Sequence, residues 1–140
     1  MAKFVGFAES PKPPEGAQLV VISATVTSEM SQHAIVATIF SKTGASSWLG
    51  EFTKYDLSLG GKVLFAETNK PSITFTAVNL PKQVTLISDL LGELEIVVTK
   101  SKTNAEMQLR FSRWVLPEER ELFEHAADQT TKSLAAALEV

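Results

Sequence analysis

The chain has 140 residues, 44% hydrophobic and 21% charged, with a formal net charge of -3 and no cysteine. This length and balance fit one globular domain spanning 1–140 with a core of its own, and the missing cysteines exclude disulfides, thiolate nucleophiles and thiolate metal sites. The acidic excess argues against a surface built to hold nucleic acid by charge, and no apolar run approaches the ~20 residues of a membrane-spanning helix.

At the N-terminus, residues 4–8 read as a short strand. Their apolar run is shorter than the core of a secretory signal, so the expected location is the cytoplasm or an assembled particle. Residues 10–16 hold Pro11, Pro13 and Pro14, which cannot join the interior of a sheet, so a surface connector is expected. Residues 18–28 alternate in their second half, while Leu19 and Val21 make the first half apolar on both sides. Val20, Ile22, Ala24 and Val26 share one face, Ser23, Thr25 and Thr27 the other, which predicts a strand. A turn is expected over 28–32. Residues 33–41 are apolar on both faces of an extended chain and read as a central strand. Residues 42–47 read as a loop, and 48–54 as a poorly patterned strand.

Gly60-Gly61 separates the apolar stretches 55–59 and 62–66, which predicts a tight hairpin with positive φ at one of the two glycines. After a turn at 68–71, strands are expected over 72–78 and 83–88. The clearest pattern is 93–115. Leu94, Ile96 and Val98 alternate with polar residues, as do Met107, Leu109 and Phe111, around a polar turn at 100–104. Two paired strands with one dry and one wet face follow.

Pro117 ends the strand pattern. Glu118, Glu119 and Glu121 suit a first helical turn, and Phe123, Ala127, Leu134 and Leu138 recur at helical spacing. A helix is predicted over 117–139, with a weak point at 129–131. The fold class is therefore α+β. A β-rich part, 1–116, supplies about eight antiparallel strands in a sheet, sandwich or partly closed barrel, and a C-terminal helix completes it.

Chemistry is sparse. His33 and His125 stand on different elements, no metal-ligand spacing occurs, and no Gly-x-Ser-x-Gly elbow is present. Glu93 and Glu95 read as wet-face charges. No cofactor and no catalytic residue is expected. Lys100, Lys102, Arg110 and Trp114 form the only basic and aromatic grouping suited to a single nucleic-acid strand, and Glu95 and Glu106 beside them disfavour it. The alanine-rich helix (Ala126, Ala127, Ala135, Ala136, Ala137) suggests close approach of another backbone. On these grounds the expected function is a non-enzymatic, self-associating structural subunit, such as a coat or other assembly component. Its partners would be copies of the same chain, its interface Phe123, Ala127, Leu134, Ala136 and Leu138. The alternative is a β-barrel that binds a small apolar ligand, lined by Trp48, Phe65, Phe75 and Phe111. A third reading is an enzyme with no recognisable motif.

Overall fold

A computed structural model describes residues 15–100 and 105–138. The expected strand at 4–8, most of the proline connector and the turn at 101–104 lie outside the described residues.

The chain begins with strand β1 (Gln18–Ser28). Helices α1 (Gln32–Phe40) and α2 (Lys42–Leu49) follow. Then come β2 (Phe52–Tyr55), β3 (Lys62–Phe65), β4 (Ile73–Asn79), β5 (Gln83–Ser88), β6 (Gly92–Lys100) and β7 (Ala105–Val115). A single 3-10 turn at Pro117–Glu119 leads into helix α3 (Arg120–Ala137). Among the described residues the strands form one antiparallel sheet of seven in the order β1-β7-β6-β5-β4-β3-β2. β1 and β2 are the edges of this sheet and do not pair with each other, so it does not close into a barrel.

The α+β class, the antiparallel sheet and the terminal helix agree with the sequence pattern. β1 and β7 pair along their whole length, from Gln18 opposite Val115 to Ser28 opposite Ala105. In the β6–β7 pair, Leu94 faces Phe111, Ile96 faces Leu109 and Val98 faces Met107, and all six are buried. Alternation thus dries one face of the sheet and leaves the other to Ser23, Thr25, Thr27, Glu93 and Arg110.

The three helices cover the dry face. α1 rests on β6 and β7, while α3 touches β1, β7 and α2. On α3, Phe123, Ala127 and Leu134 point into the core. Burying Phe123 and Leu134 contributes roughly 1.5–3 kcal/mol each. The helix runs unbroken through 129–131, where Thr131 bonds back to the Ala127 carbonyl at 2.9 Å.

Three expectations are corrected. Residues 33–41 are helical rather than extended. Ile35 and Ile39, one helical turn apart, are buried, Ser31 caps the helix by accepting from Ala34 N–H, and the Gln32 side chain donates to the Val98 carbonyl at 2.7 Å. Packing of one helical stripe outweighs the β preference of Ile35, Val36 and Ile39. Residues 42–47 are not a loop but most of α2. Ser41 closes α1 with its N–H and opens α2 with its hydroxyl, which accepts from Gly44 N–H at 3.0 Å. Gly44 allows this corner, because a Cβ there would lie 1.4 Å from the Thr38 carbonyl oxygen. Trp48 consequently ends a helix instead of starting a strand.

The Gly60-Gly61 hairpin exists in a looser form. Tyr55 pairs with Val63, and Gly60 has φ +80. The connection is a six-residue loop, 56–61, instead of a two-residue turn. Its glycines are stitched to β4: Gly60 N–H donates to the Phe75 carbonyl, and Phe75 N–H donates to the Gly61 carbonyl.

Candidate functional site

A cavity of about 300 Å³ lies where the end of α2, the β3–β4 connection, the β5–β6 turn and the first half of α3 meet. Trp48 and Leu49 come from α2, Phe65 and Ile73 from the strands, and Leu90 and Leu91 from the turn. From α3 come Leu122, Ala126 and Gln129, spaced at i, i+4 and i+7, with His125 and Thr130 beside them. This stripe runs alongside the core stripe Phe123, Ala127 and Leu134, so one helix serves both core and cavity. The mouth is at Leu122, which is 58% exposed, and at His125, also exposed.

The walls are fixed by hydrogen bonds made away from the space. Trp48 donates its indole N–H to the Ile39 carbonyl at 2.7 Å, leaving the ring edge-on to Phe40 with centroids 6.3 Å apart. The Ser88 hydroxyl accepts from Leu91 N–H at 3.0 Å and holds the β5–β6 turn. Lys70 reaches in from the β3–β4 connection. Its ammonium donates to the Leu49 carbonyl and sits 4.4 Å from the centroid of the Phe65 ring. An apolar wall with a few placed polar groups is the usual makeup of a small-molecule site.

A second groove of about 690 Å³ lies between the end of β1 and the last turns of α3. Thr25, Thr27, Glu29 and Lys132 line much of it, which makes it a wetter and poorer place for an apolar ligand.

Tyr55 stands apart from the cavity. Its hydroxyl donates to the Phe40 carbonyl at 2.7 Å, and its ring stacks on Phe52 and meets Phe75 edge-on. Burial pushes its pKa up from 10.0 to about 12.

The residues singled out in the sequence fall as follows. Phe123, Ala127, Leu134 and Leu138 are buried in the chain's own core, so this stripe packs on its own sheet, and only Ala136 of the five is exposed. Arg110 is on the wet face 3.8 Å from Glu95, which also accepts from the Gln83 amide at 3.0 Å. Trp114 is 49% exposed and faces Leu19 across the strands. Lys100 is exposed at the end of β6, and Lys102 lies outside the described residues. Of the four expected ligand-lining aromatics, Trp48 and Phe65 do line the cavity, whereas Phe75 and Phe111 fill solid core. Sequence reasoning missed Lys70, Leu122, Ala126 and Gln129. The i, i+4, i+7 spacing on α3 was the one available sign. Among the described residues there is no cluster of three potential metal-ligating side chains, and no helix is long and apolar enough to cross a membrane.

No known family and no curated protein matches the sequence. The fold, however, is found in solved structures. The Bacillus halodurans protein BH1534 has a TM-score of 0.71 at 12% identity, over 89% of this chain and 99% of its own. The Aha1 dimer of Colwellia psychrerythraea has a TM-score of 0.63 at 18% identity, over 86% and 97%. DynU16, from the dynemicin biosynthetic locus, has 0.67 at 12% identity, over 86% of this chain and 47% of its own. At such identities the likeness is one of fold. The expectation of a coat or assembly subunit is thereby corrected: none of these structures is described as a shell protein, and the helical stripe that suggested self-assembly is used up inside the chain. The closed barrel expected in the alternative is corrected too: the sheet of the described residues is open, and helices cover its dry face.

Proposed function

We propose that this chain is a binding protein, not an enzyme, for a small and mainly apolar molecule held between α3, α2 and the sheet. The carrying observation is the apolar cavity of about 300 Å³, at the low end of the range for small-molecule sites. A resemblance of the fold to that of SRPBCC, polyketide cyclase-like ligand-binding proteins supports the reading. The test is binding of the uncharged dye phenylnaphthylamine, followed by its emission. Ala126→Trp puts an indole into the space from the α3 side. Dye binding by the parent chain and its loss in a folded Ala126→Trp variant are expected. Equal binding by the two proteins would show that the dye sits elsewhere and would overturn the proposal.

Pairing of two copies belongs to the same proposal. Leu19 and Val21, each 51% exposed, adjoin Trp114 on the outer face at the edge strand β1, and the Colwellia protein of this fold is described as a dimer. Exposed apolar residues grouped at an edge strand favour a partner there. Light scattering that gives the monomer mass at every concentration would remove this part.

A further inference from the structure

The charge of the cavity wall points to the class of ligand, on the reading just given that the cavity binds one. The chain carries 16 acidic and 13 basic residues, yet the lining holds one lysine and no carboxylate. That lysine is held in place. Its ammonium donates to the Leu49 carbonyl at the C-terminal end of α2, where a helix favours a cation, and it lies over the Phe65 ring. Gly50 leaves room for it, since a Cβ there would lie 2.5 Å from Lys70 Nζ. Among the described residues, no carboxylate forms an ion pair with Lys70.

Filling such a cavity with a neutral hydrocarbon would strip water from the ammonium and return only one carbonyl and a ring face. Desolvating a charge without an opposite charge is costly. A ligand bearing an anion removes that cost and gains a charge-assisted hydrogen bond. A single ammonium without a guanidinium fork suits one carboxylate better than a phosphoryl group of higher charge. The volume equals about ten waters' worth of space, which sets the size of the ligand's body. We propose that the occupant is a small amphipathic acid, an apolar body of about ten heavy atoms ending in one carboxylate that meets Lys70.

The test displaces phenylnaphthylamine from the full chain with three probes of equal chain length: decanoate, decanol and decylamine. Decanoate is expected to compete at least about tenfold better than decanol, with decylamine the weakest. Lys70→Met should remove the preference for decanoate while leaving decanol within about threefold, and Lys70→Arg should keep it. Decanol competing as well as decanoate against the parent chain overturns the acid assignment and leaves the cavity reading standing, and this comparison needs no variant. A decanoate preference that survives Lys70→Met also overturns it. If no probe competes and Ala126→Trp leaves dye binding unchanged, the cavity reading itself fails.

Discussion

Lys70 donates a hydrogen bond from its ammonium to the main-chain carbonyl of Leu49, 21 residues earlier in the chain. The bond ties the β3–β4 connection to the end of α2 and so braces one side of the cavity. It depends on Gly50, whose φ of +100 and ψ of 174 belong to a region almost confined to glycine. Gly50→Ala should therefore destabilise the chain by about 1–3 kcal/mol, as read by denaturant unfolding. Part of the cost is backbone strain and part is displacement of Lys70. In a Lys70→Met background the penalty should shrink without vanishing. Full additivity of the two changes would mean that the ammonium and Gly50 do not interact.

Phe111→Ala tests the centre of the core. Phe111 is fully buried, and Leu94 and Ile22 are its partners across the neighbouring strands. Its removal should cost about 3–5 kcal/mol. A loss under about 1 kcal/mol would mean that the core collapses freely around the gap.

Legibility followed the period of the hydrophobic pattern. β6 and β7 were readable residue by residue because Leu94, Ile96, Val98, Met107, Leu109 and Phe111 alternate and only one face is dry. α3 was readable because its apolar positions repeat at helical spacing over 18 residues. α1 was not, since nine residues with Ile35, Val36 and Ile39 satisfy a two-faced strand and a short helix equally well. What decides between them is the Ser31 cap and the bond from Gln32 to Val98, 66 residues away. α2 was hidden by a composition of Lys, Thr, Gly and Ser that ordinarily marks a loop. The cavity was the least legible feature. The sequence points to Trp48 and Phe65 as ligand-lining, but for the interior of a closed barrel. Lys70, Leu90 and Ala126 join them only because the topology brings separate elements to one place.

The two adjacent glycines of the β2–β3 loop should respond unequally. Gly60 has φ +80, and a Cβ there would meet nothing within 4 Å. Gly60→Ala should cost about 1 kcal/mol from the backbone alone. Gly61 has no positive φ, but a Cβ there would lie 2.2 Å from the Asp56 carbonyl oxygen. Since that oxygen is backbone, the loop must move, and Gly61→Ala should cost more than Gly60→Ala. The opposite order in denaturant midpoints would show that the loop yields easily.

Tyr55 is the single tyrosine of the chain, so the ultraviolet titration of phenolate reports it alone. Burial raises its pKa from 10.0 to about 12. The unfolded chain then loses the phenol proton first as pH rises. The stability linked to Tyr55 is whole below pH 10 and is lost between pH 10.0 and about 12. Because the ring is only partly buried, solvent screening reduces the linked stability to on the order of 1 kcal/mol. Tyr55→Phe should flatten this part of the stability–pH curve. A phenolate transition near the ordinary tyrosine value in the folded chain would contradict the burial and the bond to the Phe40 carbonyl.

The last prediction separates the two faces of α3. Ala127 is almost fully buried against the sheet, whereas Ala136 is exposed. Ala127→Glu forces a carboxylate into the apolar core stripe of Phe123 and Leu134, and should cost about 3 kcal/mol or more. Ala136→Glu meets water, and its only penalty is a negative charge near a helix C-terminus, about 0.3–1 kcal/mol. Thermal melting should therefore fall steeply for the first variant and barely for the second, with the mass in solution unchanged by either. A change of mass with Ala127→Glu at unchanged melting temperature would move that alanine from the chain's own core to a contact between copies. Equal melting losses from both changes would instead require Ala136 to be covered. The difference between them is thus a direct measure of which side of α3 the sheet occupies.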